Sequence, residues 1–456
     1  MNALETFSAW IAVAPRDHGP TAAGRARLAV LDSLGCMLVG AGDPVAKSVR
    51  RTVAHWGEGA CTLVGTDRHA PAPWAALANG TAAHALDFDD YEDPGATHPS
   101  AVLVPALFAL GEERQASGRD LLDAYIVGLE VIVRLGAAVN LSHYHRGWHA
   151  TATLGAIGAA AAGARLLRLD AQGAGHALGL ATSMAAGFKT QFGTMAKPLH
   201  AGLAAKAGVL SSSLAAEGVT ASSEVLDGTW SVLSLMAGPE AEGFDGALQD
   251  LGDPLAIEAY GLVVKPYPCC GYIHGTLDGV LDLRRAEDLS ATDIAGVTAR
   301  IPARNAEILM YPRPEDPMQA RFSLPYCTTV AVLHGAVTVA DFTPEAVIRP
   351  EVRAWLPKVT LETHPVHDKS SDLAHHEPDV VTLRLAGGGE RRIEVMHPRG
   401  TPARPLSEAE MSRKFQSCAA GALGKEAAAA AEAAVAGLES LADIGELLRH
   451  FQAAPN

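Results

Sequence analysis

Gly80-Thr81-Ala82-Ala83-His84-Ala85-Leu86-Asp87-Phe88-Asp89-Asp90-Tyr91-Glu92-Asp93-Pro94-Gly95-Ala96-Thr97-His98-Pro99-Ser100 sets acids, an imidazole and two chain breakers between two apolar runs. Ala75 to Phe88 carries apolar residues at helical spacing, which predicts a helix. Pro94-Gly95 turns the chain, and Pro99 suits the first position of a second helix through Ala101 to Ala116. His98 then stands just outside a helix N-terminus. The N–H groups there lack partners and the helix dipole is positive, so the spot favours an anion. The acids of the loop either face such a site or form a solvated turn.

Composition bounds the answer. The chain has 456 residues, 48% hydrophobic and 19% charged, enough for a large core and more than one compact unit. A net charge of −15 argues against nucleic acid or an anionic membrane as partner. Cysteines 36, 61, 269, 270, 327 and 418 show no zinc or disulfide spacing, and the adjacent Cys269 and Cys270 do not make an iron–sulfur run, so a reducing cytoplasm is expected. Met1 to Arg16 has Glu5 ahead of Trp10 and no basic start to an apolar run, so no signal peptide is expected.

From Leu4 to about Val264 one helical run follows another, separated by Gly, Pro, Asp and Thr. Thr21 is read as the cap of a run closed by Gly40. Asp120 to Val139, Asp170 to Met184 and the small-residue stretch His149 to Leu167 are further helices, the last too short for a membrane span. Almost no β-branched alternation occurs, which predicts an all-α region. After Lys265-Pro266-Tyr267-Pro268 the pattern changes. A helix over Ile273 to Ala286 and another over Ser323 to Ala336 are expected. Strand-like runs occupy Val297 to Ile301, Lys358 to Thr363, Val380 to Leu385 and Arg391 to Val395, with Gly387-Gly388-Gly389 joining the last two as a hairpin. Beyond His397 helix returns: Ser407 to Leu423, Glu426 to Val435 and Ala442 to Phe451. The expected fold is mainly α with an α+β part. A large all-α helical domain is formed by both chain ends, residues 1–264 and 397–456, with a smaller α+β lid, 265–396, inserted.

Three further segments carry chemistry-bearing groups. His149 follows Gly147-Trp148 ahead of the Ala-rich helix, Lys197 precedes Pro198-Leu199-His200, and Lys265 stands at the domain junction. Two imidazoles and two ammonium groups near helix starts, in an otherwise acidic protein, suit a small di- or tricarboxylate. Two groups resemble metal ligands: His143, His145 and His149, and Asp372 with His375 and His376. Arg146 would repel a cation, and neither group has i, i+4 spacing around a glutamate, so no metal is expected. Nucleotide-binding glycine motifs and a G-x-S-x-G elbow are absent.

In their order, Asp87-Phe88-Asp89-Asp90 with His98-Pro99-Ser100, Gly147-Trp148-His149, Lys197-Pro198-Leu199-His200-Ala201-Gly202, Lys265-Pro266-Tyr267-Pro268 and Phe322-Ser323-Leu324-Pro325-Tyr326 resemble the MmgE/PrpD family. That family includes 2-methylcitrate dehydratase, cis-aconitate decarboxylase and iminodisuccinate epimerase. The resemblance implies a helical domain with an α+β lid, no metal or other cofactor, and a homodimer. It implies Asp87, His98, His149, Lys197, Lys265 and Tyr326 as catalytic residues, with Tyr326 closing the pocket from the lid. Tyr91, Lys189, His200 and Arg321 are the implied substrate contacts. In the decarboxylase the D-F-D-D run is followed by Thr and a loop one residue shorter, whereas here Tyr91 follows. The expected activity is therefore first a hydro-lyase acting on a 2-methylcitrate-like acid. Next come an epimerase of an imino- or amino-dicarboxylate and a cis-aconitate-type decarboxylase, with a non-catalytic carboxylate-binding protein as the alternative from another class.

Overall fold

Side-chain caps start the principal helices of the first region. Ser117, Asp170 and Ser407 stand in extended backbone, and each accepts a hydrogen bond from the N–H three residues on, opening Gly118–Val139, Ala171–Thr182 and Glu408–Leu423. The computed structural model describes residues 1–365 and 377–453. Every residue of the Ala-rich helix Ala150–Leu166 is buried. Its small side chains admit Gly118–Val139 and Ala196–Ala216 at close range: a Cβ on Gly158 would lie 2.1 Å from Ile132 Cγ1. Ala72–His84 packs on Ala196–Ala216, where Gly80 faces Gly202.

Both chain ends build this core. Glu408–Leu423 lies against Gly19–Gly40, and Phe415, Leu438, Ile444 and Phe451 share one apolar cluster with Leu34, Leu103 and Leu129. A second cluster forms around a four-stranded sheet of order β4-β3-β5-β6, comprising β3 (Ile294–Pro302), β4 (Val359–His364), β5 (Asp379–Leu385) and β6 (Glu390–Val395). β3 runs parallel to β4 and antiparallel to β5, and β5 pairs with β6 as the hairpin expected from the three glycines. Helices His274–Ala286 and Leu324–His334 pack Leu277, Val280 and Val330 with Val297, Val381 and Leu383. Tyr144 and Phe192 of the first region join this second cluster, so the two cores meet along that seam.

Several boundaries differ from expectation. The helix read as Ala75 to Phe88 is Ala72–His84, because Asp87 takes a left-handed backbone with φ +51 that no helix interior contains. Gly19–Gly40 begins before Thr21, with Pro20 in its first turn, so the proline marks the start. The first region is not wholly helical: β1 (Cys61–Thr62) pairs with β2 (His69–Ala70), strands too short to show alternation in sequence. The last run divides into Ile444–Leu448 and a tighter turn, Arg449–Phe451. The group of Asp372, His375 and His376 lies outside the described residues. Among the described residues no single helix is long and apolar enough to cross a membrane.

Candidate active site

Helix ends deliver the polar side chains to the seam between the cores. His84 is the last residue of Ala72–His84, and His98 lies two residues before Ser100–Arg114. His149 occupies the N-cap of Ala150–Leu166, and Lys197 sits in the first turn of Ala196–Ala216, with Pro198 tolerated there because first-turn N–H groups have no partners in the helix. Lys265 arrives on the extended segment between the regions. A cavity with about 60 Å³ of room for the centres of water-sized molecules opens among them. Asp87, Glu92, Asp93, His98, His149, Lys197 and Lys265 make its polar wall, and Tyr91, Tyr144, Phe192, Tyr272, Ile308 and Phe322 much of the rest. Such a space suits a compact ligand.

Asp87, Lys197, Lys265, His84 and Asp89 form one connected set of hydrogen bonds, and His149 pairs separately with His200. The Asp87 carboxylate bridges two ammonium groups: Lys197 donates to Oδ1, and Lys265 donates to Oδ2 at 2.9 Å and to the Asp87 carbonyl at 2.9 Å. Lys197 Nζ also lies 2.9 Å from His84 Nε2. An ammonium only donates, so Nε2 is the acceptor and the His84 proton sits on Nδ1, 2.9 Å from Asp89 Oδ2. His98 Nδ1 lies 3.1 Å from the same oxygen without a directed hydrogen bond, and its Nε2 is 3.9 Å from Asp87. His149 Nδ1 meets His200 Nδ1 at 2.9 Å, so one donates and the other accepts.

Burial and neighbours set the charges. Burial would raise the Asp87 acid, but Lys197 and Lys265 outweigh it and hold it well below the carboxylate range. Burial opposes charge on Lys265, and Asp87 and Asp89 overcome that and raise it. The imidazoles go the other way: burial, reinforced by Lys197 and His84, lowers His149 well below its ordinary value and His200 to about 4. His98 falls to about 3, again mainly through burial, although Asp89 opposes it. The cavity thus holds an ionised carboxylate, ammonium cations and neutral imidazoles.

Asp90 and Glu92, farther along the loop, meet neutral donors. Asp90 accepts from the Ser100 N–H at 3.2 Å and the Ser100 hydroxyl at 2.5 Å, with Tyr125 Oη 2.6 Å from that hydroxyl. Burial pushes Asp90 up to about 8. Glu92, raised by burial to about 7, accepts from Gly95 and Thr97 and closes the turn. Gly136 leaves space for it: a Cβ there would lie 2.2 Å from Gly95 Cα.

Of the residues expected from sequence, Asp87, Tyr91, His98, His149, Lys197 and Lys265 line one cavity, and His200 stands directly behind His149. Tyr326 is not brought there. It is buried in the second core with its hydroxyl donating to the Asp341 carbonyl and its ring against Phe342, so it does not close the pocket. Arg321 is buried off the cavity wall, 3.8 Å from Asp43, and Lys189 sits over the Tyr144 ring, 3.9 Å from its centroid, rather than on the wall. The sequence reading missed His84 and Asp89 as a pair. Their separation of five residues across a helix end was the available signal. The aromatic wall of Tyr144, Phe192 and Tyr272 carries no charge pattern and had none.

Among the described residues His84, Asp89 and His98 place potential metal ligands within 4.8 Å of one another. They suit a cation poorly, since His84 Nδ1 carries its proton and the Lys197 ammonium sits on the other face of the same ring. His143 and His145 do not join this trio, and His143 Nε2 is 3.0 Å from the Thr153 hydroxyl.

Comparison with known proteins agrees with this architecture. The model of the MmgE/PrpD N-terminal domain matches residues 5–244, and that of the MmgE/PrpD C-terminal domain matches residues 267–440. The cis-aconitate decarboxylase of Mus musculus is 30% identical over 438 residues, covering 93% of this chain and 88% of the relative. That of Homo sapiens is 30% identical over 448 residues, 93% and 89% of the two chains, and that of Aspergillus terreus 27% over 446 residues, 93% and 90%. These names bring forward an activity that the loop after Asp90 had ranked below dehydration.

Proposed function

This chain belongs to the MmgE/PrpD family, and from that premise we propose that it is a cofactor-independent lyase that forms an enolate-like intermediate on a small di- or tricarboxylate, in the first instance a hydro-lyase. The observation that carries this reading is the pairing of neutral, buried imidazoles with the Lys197–Asp87–Lys265 bridge on one cavity wall. A carbon next to a carboxylate gives up a proton only if the growing negative charge is held, and fixed ammonium groups in a dry pocket do this best. With His149 Nδ1 donating to His200 Nδ1, the unprotonated Nε2 takes the proton. The C–H electrons form the enolate, the neighbouring C–O bond breaks, and the leaving oxygen takes a proton from Lys197. A substrate carboxylate shares Lys265 with Asp87.

Decarboxylation is the second reading, favoured by the names of the relatives. There the C–C bond electrons stay on the substrate and a donor must protonate carbon, a task that neutral imidazoles perform less readily than proton removal. Proton NMR in D₂O with 2-methylcitrate, citrate, cis-aconitate and substituted succinates separates the readings. A new alkene without CO₂ means hydro-lyase, CO₂ release means decarboxylase, and label uptake without either means epimerase. Every acid returned unchanged and unlabelled would overturn the proposal.

The reading includes a cytoplasmic setting, supported by six free, buried cysteines, and a homodimer, which light scattering tests directly.

A further inference from the structure

The acid loop is gripped from two sides. On the cavity side Lys265 donates to the Asp87 carbonyl; on the far side Lys414, from the C-terminal helix Glu408–Leu423, donates to the next carbonyl, Phe88, at 2.8 Å. Two consecutive buried carbonyls are therefore each held by a buried ammonium group, the second contributed by sequence 326 residues away. Lys414 is itself fixed by Asp32 at 2.6 Å, from helix Gly19–Gly40, and its ammonium lies 4.2 Å from the Phe88 ring centroid. Asp87, beside the two grips, keeps a left-handed backbone at φ +51, uncommon for a residue other than glycine though more accessible to aspartate than to most. The same ammonium offsets repulsion among buried acids, since Asp89 disfavours ionisation of Asp32, and Asp32 that of Asp90.

We propose that Lys414, anchored by Asp32, is a positioning residue for the reaction: it fixes the Phe88 carbonyl and so holds Asp87 where its carboxylate bridges Lys197 and Lys265. The role rests on the lyase reading above for its kinetic consequence, but not for its structural one. It makes the C-terminal helix part of the active site without a side chain of that helix touching the ligand. Removal of the ammonium frees the Phe88 carbonyl and lets Asp87 relax, which weakens the transition state more than it weakens binding.

The test compares Lys414→Met and Asp32→Asn with Arg165→Met, which breaks a buried ion pair to Asp123, 2.7 Å long, that braces two helices without touching the loop. All three are studied full-length below their melting temperatures. Hydrogen exchange followed by mass spectrometry needs no substrate. Lys414→Met is expected to speed exchange in peptides spanning 85–93 by about tenfold or more, and Asp32→Asn by less, whereas Arg165→Met leaves those peptides unchanged. With whichever acid the wild type converts, Lys414→Met is expected to lower kcat about 10- to 100-fold with KM within about threefold, and Arg165→Met to leave both near normal. Loop exchange unchanged in Lys414→Met, or equal kinetic losses in Lys414→Met and Arg165→Met, would overturn the proposal. A wild type that converts nothing defeats the lyase reading alone, and the exchange result still decides this one. Should Lys414→Met fail to fold, Asp32→Asn carries the same comparison.

Discussion

Asp87 and Asp90 stand three residues apart in one buried loop, and their surroundings drive their acidities in opposite directions. Asp87 meets two ammonium groups and is held ionised well below the carboxylate range; burial, with Asp32 nearby, pushes Asp90 up to about 8 because the neutral Ser100 donors offset it too little. Burial acts alike on both, so the partners decide. Asp87 carries charge toward the cavity, while Asp90 carries a proton in a hydroxyl network. An acid-rich stretch in sequence is therefore two devices in space.

The largest expected effect lies at Asp87. Asp87→Ala leaves Lys197 and Lys265 facing each other without a counter-charge. It is expected to cost about 3–5 kcal/mol of stability, as removal of one partner from a buried pair does, and to lower turnover by at least about 100-fold. Denaturant unfolding and steady-state kinetics check both. A stable Asp87→Ala protein with normal kinetics would erase the distinction between Asp87 and Asp90.

At Asp90 the effect is smaller and depends on pH. The folded state keeps a proton on Asp90 that the unfolded chain releases between pH 3.8 and about 8. This term stabilises the fold at low pH and is lost as pH rises through about 8. Asp90→Asn mimics the protonated form and lacks that loss. Its melting temperature relative to wild type is expected to rise by about 2 °C or more between pH 5 and pH 8.5. Asp87 has the opposite sign: its stabilisation is present above pH 3.8 and fades as pH falls. A pH-independent Asp90→Asn difference would mean that the two aspartates are alike.

The smallest effects concern groups outside the polar wall. Lys189→Ala should change KM by less than about threefold, since its ammonium rests on the Tyr144 ring rather than on the cavity wall. Dialysis against EDTA should leave activity unchanged, because the protonated His84 Nδ1 and the Lys197 ammonium disfavour a cation at the one trio among the described residues that could hold it. Restoration of a lost activity by one divalent ion would contradict this.

Much of the cavity wall was legible in the sequence. Pro94-Gly95 and Pro99 announced the turn and the helix start, and Pro198 and the Ala-rich run announced the helix ends beside Lys197 and His149. The surroundings of Asp90 were not. Asp90 and Ser100 are ten residues apart and Tyr125 is on another helix, so only packing brings them together. His84 was hidden because the helix ends there rather than at Phe88, and its partner Asp89 read as one acid among several. Tyr326 misled because a motif residue next to the Ser323 cap turns its hydroxyl into its own core, toward Asp341. The Lys414 grip joins residues 326 apart in sequence and has no local signal at all.

In the proposed reaction a neutral imidazole, on the same cavity wall as the ionised Asp87 bridge, moves a proton at a substrate carbon. The direct measurement is solvent deuterium entry into the recovered acid and its product, wild type against His149→Ala, with the fold of both verified by circular dichroism. Label is expected at the carbon next to a carboxylate with the wild type, and a rate about 100- to 10,000-fold lower with His149→Ala. Equal labelling by the two proteins, at equal fold, would contradict it.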